Sequence, residues 1–155
     1  MEKERLFSQI DQIGIVVEDI EKAMQYYSSF FGIGPFRALN VTSVDRRVYG
    51  KSVADIKNLV RVARLGNLQY ELIQPVSGES IQKEFLEKRG EGINHVGFFV
   101  KDLEREVARL TEKGFKAIST GRFTDGGGFA YFDTNQVGGV FFELVQWPPG
   151  EDPER

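Results

Sequence analysis

Apolar and polar residues alternate over residues 12–17. Ile13, Ile15 and Val17 share one strand face, and Gln12 and Gly14 point to the other. The next apolar positions, Ile20, Met24 and Tyr27, fall one turn apart, so the period changes from strand to helix. The same change recurs further along the chain. Val96, Phe98 and Val100 alternate against His95 and Gly97, and Leu103, Val107 and Leu110 follow at helical spacing. Asp19 and Asp102 stand at the two strand-to-helix junctions, where a short acceptor caps free N–H groups. Gly32 and Gly114 fall where the two helices should stop.

These are two copies of one unit. "IDQIGIVVEDIEKAM" (10–24) aligns with "INHVGFFVKDLEREV" (93–107), which sets Gln12 over His95 and Gly14 over Gly97. Their closing strands also match: "QYELIQP" (69–75) resembles "FFELVQW" (141–147), with Glu71 over Glu143. Each copy therefore reads strand, helix, then several strands. The predicted fold is α+β, with two tandem βαβββ modules forming an open, cup-shaped mixed sheet and helices outside. One domain, residues 8–147, holds module one (8–75), a linking helix (76–91) capped by Ser80 and ended by Gly90, and module two (92–147).

Alternation also says where the polar groups point. Tyr70 and Leu72 oppose Gln69, Glu71 and Ile73, while Phe142 and Leu144 oppose Phe141, Glu143 and Val145. Each module thus projects two polar groups, one from its first strand and one from its last, on the face away from its helix. The glycines two residues on leave room there for a ligand. A buried carboxylate without partners costs several kcal/mol, and two side by side cost more. A divalent cation removes that cost. One imidazole, one amide oxygen and two carboxylates suit Zn²⁺, Mn²⁺, Co²⁺, Ni²⁺ or Fe²⁺. Gln12, Glu71, His95 and Glu143 are the candidate ligands.

Composition narrows the chemistry. The chain has 155 residues, 41% of them hydrophobic with thirteen Phe, which suffices for a sizeable core in one domain. A net charge of −3 with no basic block argues against a nucleic-acid partner. No apolar run approaches the roughly 20 residues that span a bilayer, so no membrane span is expected. There is no cysteine, which leaves only nitrogen and oxygen ligands and fits a reducing cytoplasm. "MEKERLF" has no apolar stretch behind it, so no signal peptide is expected. The Pro-rich, acidic end, 148–155, reads as a flexible tail. Open sheet edges predict a homodimer.

The paired segments "QIGIVVEDIEKAMQYYSSFFGIGPF" and "NHVGFFVKDLEREVARLTEKGF", with the two closing "EL" strands, resemble the vicinal oxygen chelate superfamily. This group includes glyoxalase I, methylmalonyl-CoA epimerase, extradiol dioxygenases and bleomycin-resistance proteins. Within it, "FFGIGPF", "YELIQPVSGESIQKEFLEKRGEGINHVGFFV" and "GGVFFELVQ" look most like methylmalonyl-CoA epimerase. The resemblance implies a divalent metal held in the cup by Gln12, Glu71, His95 and Glu143. It implies an epimerase-like reaction through a metal-stabilised enolate, with Glu143 as the base. Gln12 stands where epimerases carry His. Their second proposed base, a Glu, has no clear match near Tyr49, Lys51 and Asp55. The ligand set Gln, Glu, His, Glu is closer to some glyoxalase I enzymes, so isomerisation of a hemithioacetal is the alternative. A non-catalytic protein that binds a small molecule in the same cup is the third reading. An iron dioxygenase usually needs two His, and this chain has one. Phe36, Tyr49, Phe129 and Tyr131 are the candidate substrate-binding residues. Arg46, Arg47, Lys51, Arg61 and Arg64 are candidate contacts for a CoA phosphate of an acyl-CoA thioester.

Overall fold

The computed structural model describes residues 3–151. In chain order the elements are β1 (Gln12–Val16), α1 (Ile20–Phe31), β2 (Ser43–Val48), β3 (Lys51–Ser52), β4 (Lys57–Leu65), β5 (Leu68–Ser77), α2 (Ile81–Arg89), β6 (Gly92–Phe99), α3 (Leu103–Glu112), β7 (Ala117–Phe123), β8 (Gly128–Phe132) and β9 (Phe141–Gln146). The two βαβββ modules are thus present, with the two-residue β3 added in the first. The helices start and stop for local reasons. Asp19 accepts from the Lys22 N–H, and Asp102 from the Arg105 N–H. Ser80 caps α2 through Lys83 N. Gly32 ends α1 in the left-handed conformation, φ 66°. The glutamines that follow the two "EL-aliphatic" triplets act alike. Gln74 accepts from Ile20 N and Gln146 from Leu103 N, both at 2.9 Å. Each module's last strand therefore satisfies the first N–H of its own helix.

All nine strands form one curled half-barrel in the order β3-β2-β7-β8-β9-β6-β1-β5-β4. β1 runs parallel to β5 and β6 parallel to β9, while β1 and β6 meet antiparallel at the centre. The modules are related about that β1–β6 seam. The exception is β2, which leaves its own module and pairs with β7 of the other. On the way, Arg37 exchanges two backbone hydrogen bonds with Val62 of β4, at 2.8 and 2.9 Å. The segment from Arg37 to Val48 therefore spans between the two arms of the sheet and walls the cup.

The helix sides of the sheet are packed as alternation predicts. Ile15, Val17, Ile20 and Leu72 form one buried cluster under α1, and Phe98, Leu110, Phe132 and Leu144 form another under α3. A third cluster, with Val48, Ile118, Phe123, Phe129, Tyr131 and Val145, lies on the concave side and is joined by Ile81 of α2. Among the described residues no helix is long and apolar enough to cross a membrane. Of the tail, Pro148 is buried and Glu151 pairs with Arg37 at 3.2 Å, while residues 152–155 lie outside the described residues.

Candidate functional site

The concave face encloses a cavity of about 440 Å³. Gln12 from β1, Glu71 from β5 and Glu143 from β9 line it, and His95 from β6 sits beneath them. All four are almost fully buried. His95 Nε2 lies 2.7 Å from Gln12 Oε1, 3.0 Å from Glu143 Oε2 and 3.4 Å from Glu71 Oε1. The ring's other nitrogen, Nδ1, is 3.2 Å from Asn94 Oδ1. A proton on Nδ1 donated to Asn94 leaves the Nε2 lone pair facing three oxygens. A cation among these four atoms, whether a proton or a metal ion, makes such a gathering favourable.

A divalent ion fits. With bonds of about 2.0–2.2 Å, neighbouring ligand atoms sit roughly 3 Å apart, as the atoms around Nε2 do. Glu71, His95 and Glu143 each offer one ligand atom, all within 4.8 Å of one another, so these three could hold a metal ion. Asn94 behind the ring is the kind of partner that fixes a ligating histidine's tautomer.

The two glycines beside these residues act differently from the expectation. They do not make room for a ligand. Gly14 is the cross-strand partner of His95, and Gly97 of Gln12. A β-carbon on Gly14 would lie 1.9 Å from the His95 ring, and one on Gly97 would lie 2.9 Å from Gln12. Each module's glycine therefore accommodates the other module's polar side chain.

The remaining candidates divide. Phe129 and Tyr131 of β8 line the cavity. Tyr131 meets the His95 ring edge-on at 5.1 Å, and its hydroxyl is within hydrogen-bonding reach of Glu143. Phe36 and Tyr49 do not line it. Phe36 packs on the outside, against the cluster under α1, because it precedes the crossing segment. Tyr49 sits exposed in the β2–β3 turn with φ 49° and donates to Glu84 of α2 at 2.8 Å. Gln69, not singled out from the sequence, is buried beside Gln12 and accepts a hydrogen bond from its Nε2. Gln12 Nε2 also donates to Glu71 Oε2 at 3.2 Å. Gln69 thus turns the Gln12 amide so that its oxygen faces His95. The signal for it was a break in the repeat: the matching residue in module two is Phe141.

Burial sets the electrostatics. It pushes the Glu71 carboxyl from 4.5 up to about 8, with His95 opposing the shift and Glu143 adding to it. Burial works against charge on His95 too, but the attraction and hydrogen bond of Glu143, then Glu71, leave its pKa raised. Burial, then Glu143 and Glu71, hold the Tyr131 phenol well above its ordinary value. Both Glu71 and His95 bind protons more tightly folded than unfolded, so their stabilising contribution is complete below the unfolded values and lost as pH rises through the folded ones. Chelator-treated protein should therefore lose stability between roughly pH 5 and pH 8, as pH rises through the folded-state value of Glu71. The slope should be at most about 1.4 kcal/mol per pH step of one, for each proton the folded state holds in excess. Added divalent cation should remove the loss by taking the proton's place. Denaturant melts across that range in a chelating agent check this, and a flat or rising profile contradicts it.

The sequence profile of the glyoxalase/bleomycin resistance protein/dioxygenase superfamily matches residues 11–132. The chain is similar to an uncharacterised protein of Bacillus subtilis (strain 168), 26% identical over 148 residues that cover 93% of this chain and 95% of that protein. It is similar to the mitochondrial methylmalonyl-CoA epimerase of Homo sapiens, 26% identical over 140 residues that cover 88% of this chain and 73% of that enzyme. The crystal structure of methylmalonyl-CoA epimerase from Mycobacterium tuberculosis matches with a TM-score of 0.65 at 25% identity, covering 96% of this chain and 94% of that one. The chain belongs to the glyoxalase/bleomycin resistance protein/dioxygenase superfamily.

Proposed function

We propose that this superfamily member is a divalent-metal-dependent acid–base enzyme that moves a proton on a carbon next to a carbonyl, in the manner of a methylmalonyl-CoA epimerase. The observation that carries the reading is the meeting of Glu71 and Glu143, from equivalent strands of the two modules, around His95 Nε2 at 3.4 and 3.0 Å at the base of the cavity. Gln12, Glu71, His95 and Glu143 would hold the ion, and this donor set suits Co, Zn, Ni, Mn or Fe. When bound, such a cation polarises a substrate carbonyl and makes the neighbouring C–H more acidic. Glu143 would be the base that takes that proton. Glu71, from the opposite module, returns one. Tyr131, the cross-strand partner of Glu143, would help hold that carboxylate in place, and Phe129 and Tyr131 would keep water from the reacting carbon. The similarity to methylmalonyl-CoA epimerases supports an acyl-CoA thioester as substrate. The lack of cysteine fits a cytoplasmic setting, and a second copy of the chain would cover the open edge of β4.

A second reading has its own observation. Among the described residues that line the cavity, Glu71 and Glu143 are the only carboxylates. The separate second Glu of the epimerases has no clear match in this chain, and Gln12 stands where they carry their first His. A glyoxalase I-like isomerisation, which moves a proton between adjacent carbons of a hemithioacetal, needs no third carboxylate. One experiment separates the readings. Metal-loaded protein should exchange the α-proton of methylmalonyl-CoA with D₂O, as followed by mass spectrometry. Turnover of the methylglyoxal–glutathione hemithioacetal alone, followed by absorbance, would move the assignment to the second reading. Metal-loaded protein inert on both would act on a different substrate, and protein that takes up no metal on reconstitution would favour a binding protein.

A further inference from the structure

Three cationic residues, Arg46, Lys57 and Arg61, line the cavity. Arg46 lies on β2, the strand that crosses to the other module, and it lines the cavity. Plain alternation from Ser43 would turn Asp45 and Arg47 inward and Arg46 out. The register of β2 on β7 instead shifts between Val44 and Arg47, and Asp45 takes φ 50°, a left-handed conformation uncommon for a residue other than glycine. The inserted residue turns Ser43, Arg46 and Val48 to one side and leaves Val44, Asp45 and Arg47 exposed. A bulge of this kind re-aims a side chain at a small cost in backbone strain.

What it aims is an incompletely partnered charge. Arg46 is half-buried, and burial lowers its pKa. Its hydrogen bond is to the Ile56 carbonyl oxygen at 3.2 Å, and among the described residues no carboxylate lies within ion-pair distance of it. Partly buried cations are ordinarily paired. Arg46 and Glu143 line the same cavity of about 440 Å³, so the wall and the floor lie within one small molecule of each other. Two more polar atoms of the same lining, Trp147 Nε1 and Asn58 Oδ1, are buried without a partner. An unpartnered donor, an unpartnered acceptor and a guanidinium without a carboxylate partner around one cavity call for a polar, anionic occupant.

We propose that Arg46 determines substrate specificity: it receives a carboxylate of the substrate while another substrate oxygen goes to the floor of Glu71, His95 and Glu143. The guanidinium fork matches a carboxylate edge. The inference rests on the metal-binding floor proposed above and adds a substrate class. The substrate is an acid with a carboxylate next to the reacting carbon, such as a 2-carboxyacyl thioester, whereas a hemithioacetal carries only hydroxyl and carbonyl oxygens there.

The probes are malonate and succinate, each compared with its half-amide, titrated calorimetrically into Co²⁺-loaded protein. Every probe keeps one carboxylate for the floor, so a preference for the diacid reports the second anion. A charge-assisted pair predicts that wild type binds at least one diacid about tenfold or more tighter than its half-amide. Arg46→Gln should weaken diacid binding far more than half-amide binding and so erase that preference, and Arg46→Lys should restore part of it. A wild type that does not discriminate, or a preference that survives in Arg46→Gln, overturns the proposal. Co²⁺ titration of the same samples tests the floor separately. Protein that binds no Co²⁺ yet discriminates through Arg46 sinks the floor reading and upholds this one.

Discussion

Replacing Glu143 with Gln should slow α-proton exchange by roughly 10²–10⁴-fold, the usual worth of a positioned general base. The amide keeps an oxygen for a cation and keeps the length of the side chain, but it cannot accept a proton. The position makes this a clean test. Glu143 is buried on β9, a central strand paired to β6 in parallel and to β8 in antiparallel, so its backbone has little freedom to move. Its cross-strand neighbour Tyr131 can donate to an amide oxygen, and His95 Nε2 at 3.0 Å keeps its lone pair for a cation. Metal content is measured on the same samples, so that a loss of cation is not mistaken for the loss of a base. Variant protein that holds wild-type metal and exchanges within about threefold of wild type leaves Glu143 a ligand only. Glu71→Gln gives the companion measurement. If Glu71 returns the proton, its amide should block inversion of the α-carbon more than it blocks exchange.

Much of this site was visible in the chain because duplication compares it with itself. Gln12 and His95, and Glu71 and Glu143, are polar residues at equivalent places on apolar strands, and strand alternation put all four on the face away from the helices. Capping residues and the closing-strand glutamines were likewise local features. What stayed hidden depends on partners distant in sequence. No residue of β2 announces that it will pair with β7, since both are short strands of ordinary pattern. That crossing is what carries Arg46 to the cavity, and the bulge at Asp45 reverses the face that alternation assigns to it. Gln69 escaped because its counterpart is Phe141, so comparing the copies passes over it. Tyr49 and Phe36 were placed near the cup by their loop-rich surroundings. One is drawn to Glu84 on α2 and the other to the apolar side of α1.

Gly14→Ala should abolish metal-dependent stabilisation as completely as His95→Ala does. The reason is steric. The new methyl would sit 1.9 Å from His95 Cε1 and 2.4 Å from Nε2, well inside van der Waals contact, so the ring must leave its place. β1 cannot yield instead, because it is bonded on both sides, to β5 and to β6. A displaced ring takes Nε2 away from the three oxygens and leaves two carboxylates buried without their imidazole. Breaking a buried charged pair in this way costs about 3–5 kcal/mol. Binding of metal to the native state alone adds RT ln(1 + [L]/Kd) to stability, so wild type should melt at rising temperature as Zn²⁺, Co²⁺ or Mn²⁺ is added. Both variants should melt lower than wild type without metal and should not respond to it. The two substitutions lie on different strands of different modules and share only the contact between Gly14 and His95. A Gly14→Ala protein that still gains wild-type stability from metal would show that the ring is not seated on Gly14. A His95→Ala protein that does so would show that His95 is structural and that the cation, if any, sits elsewhere.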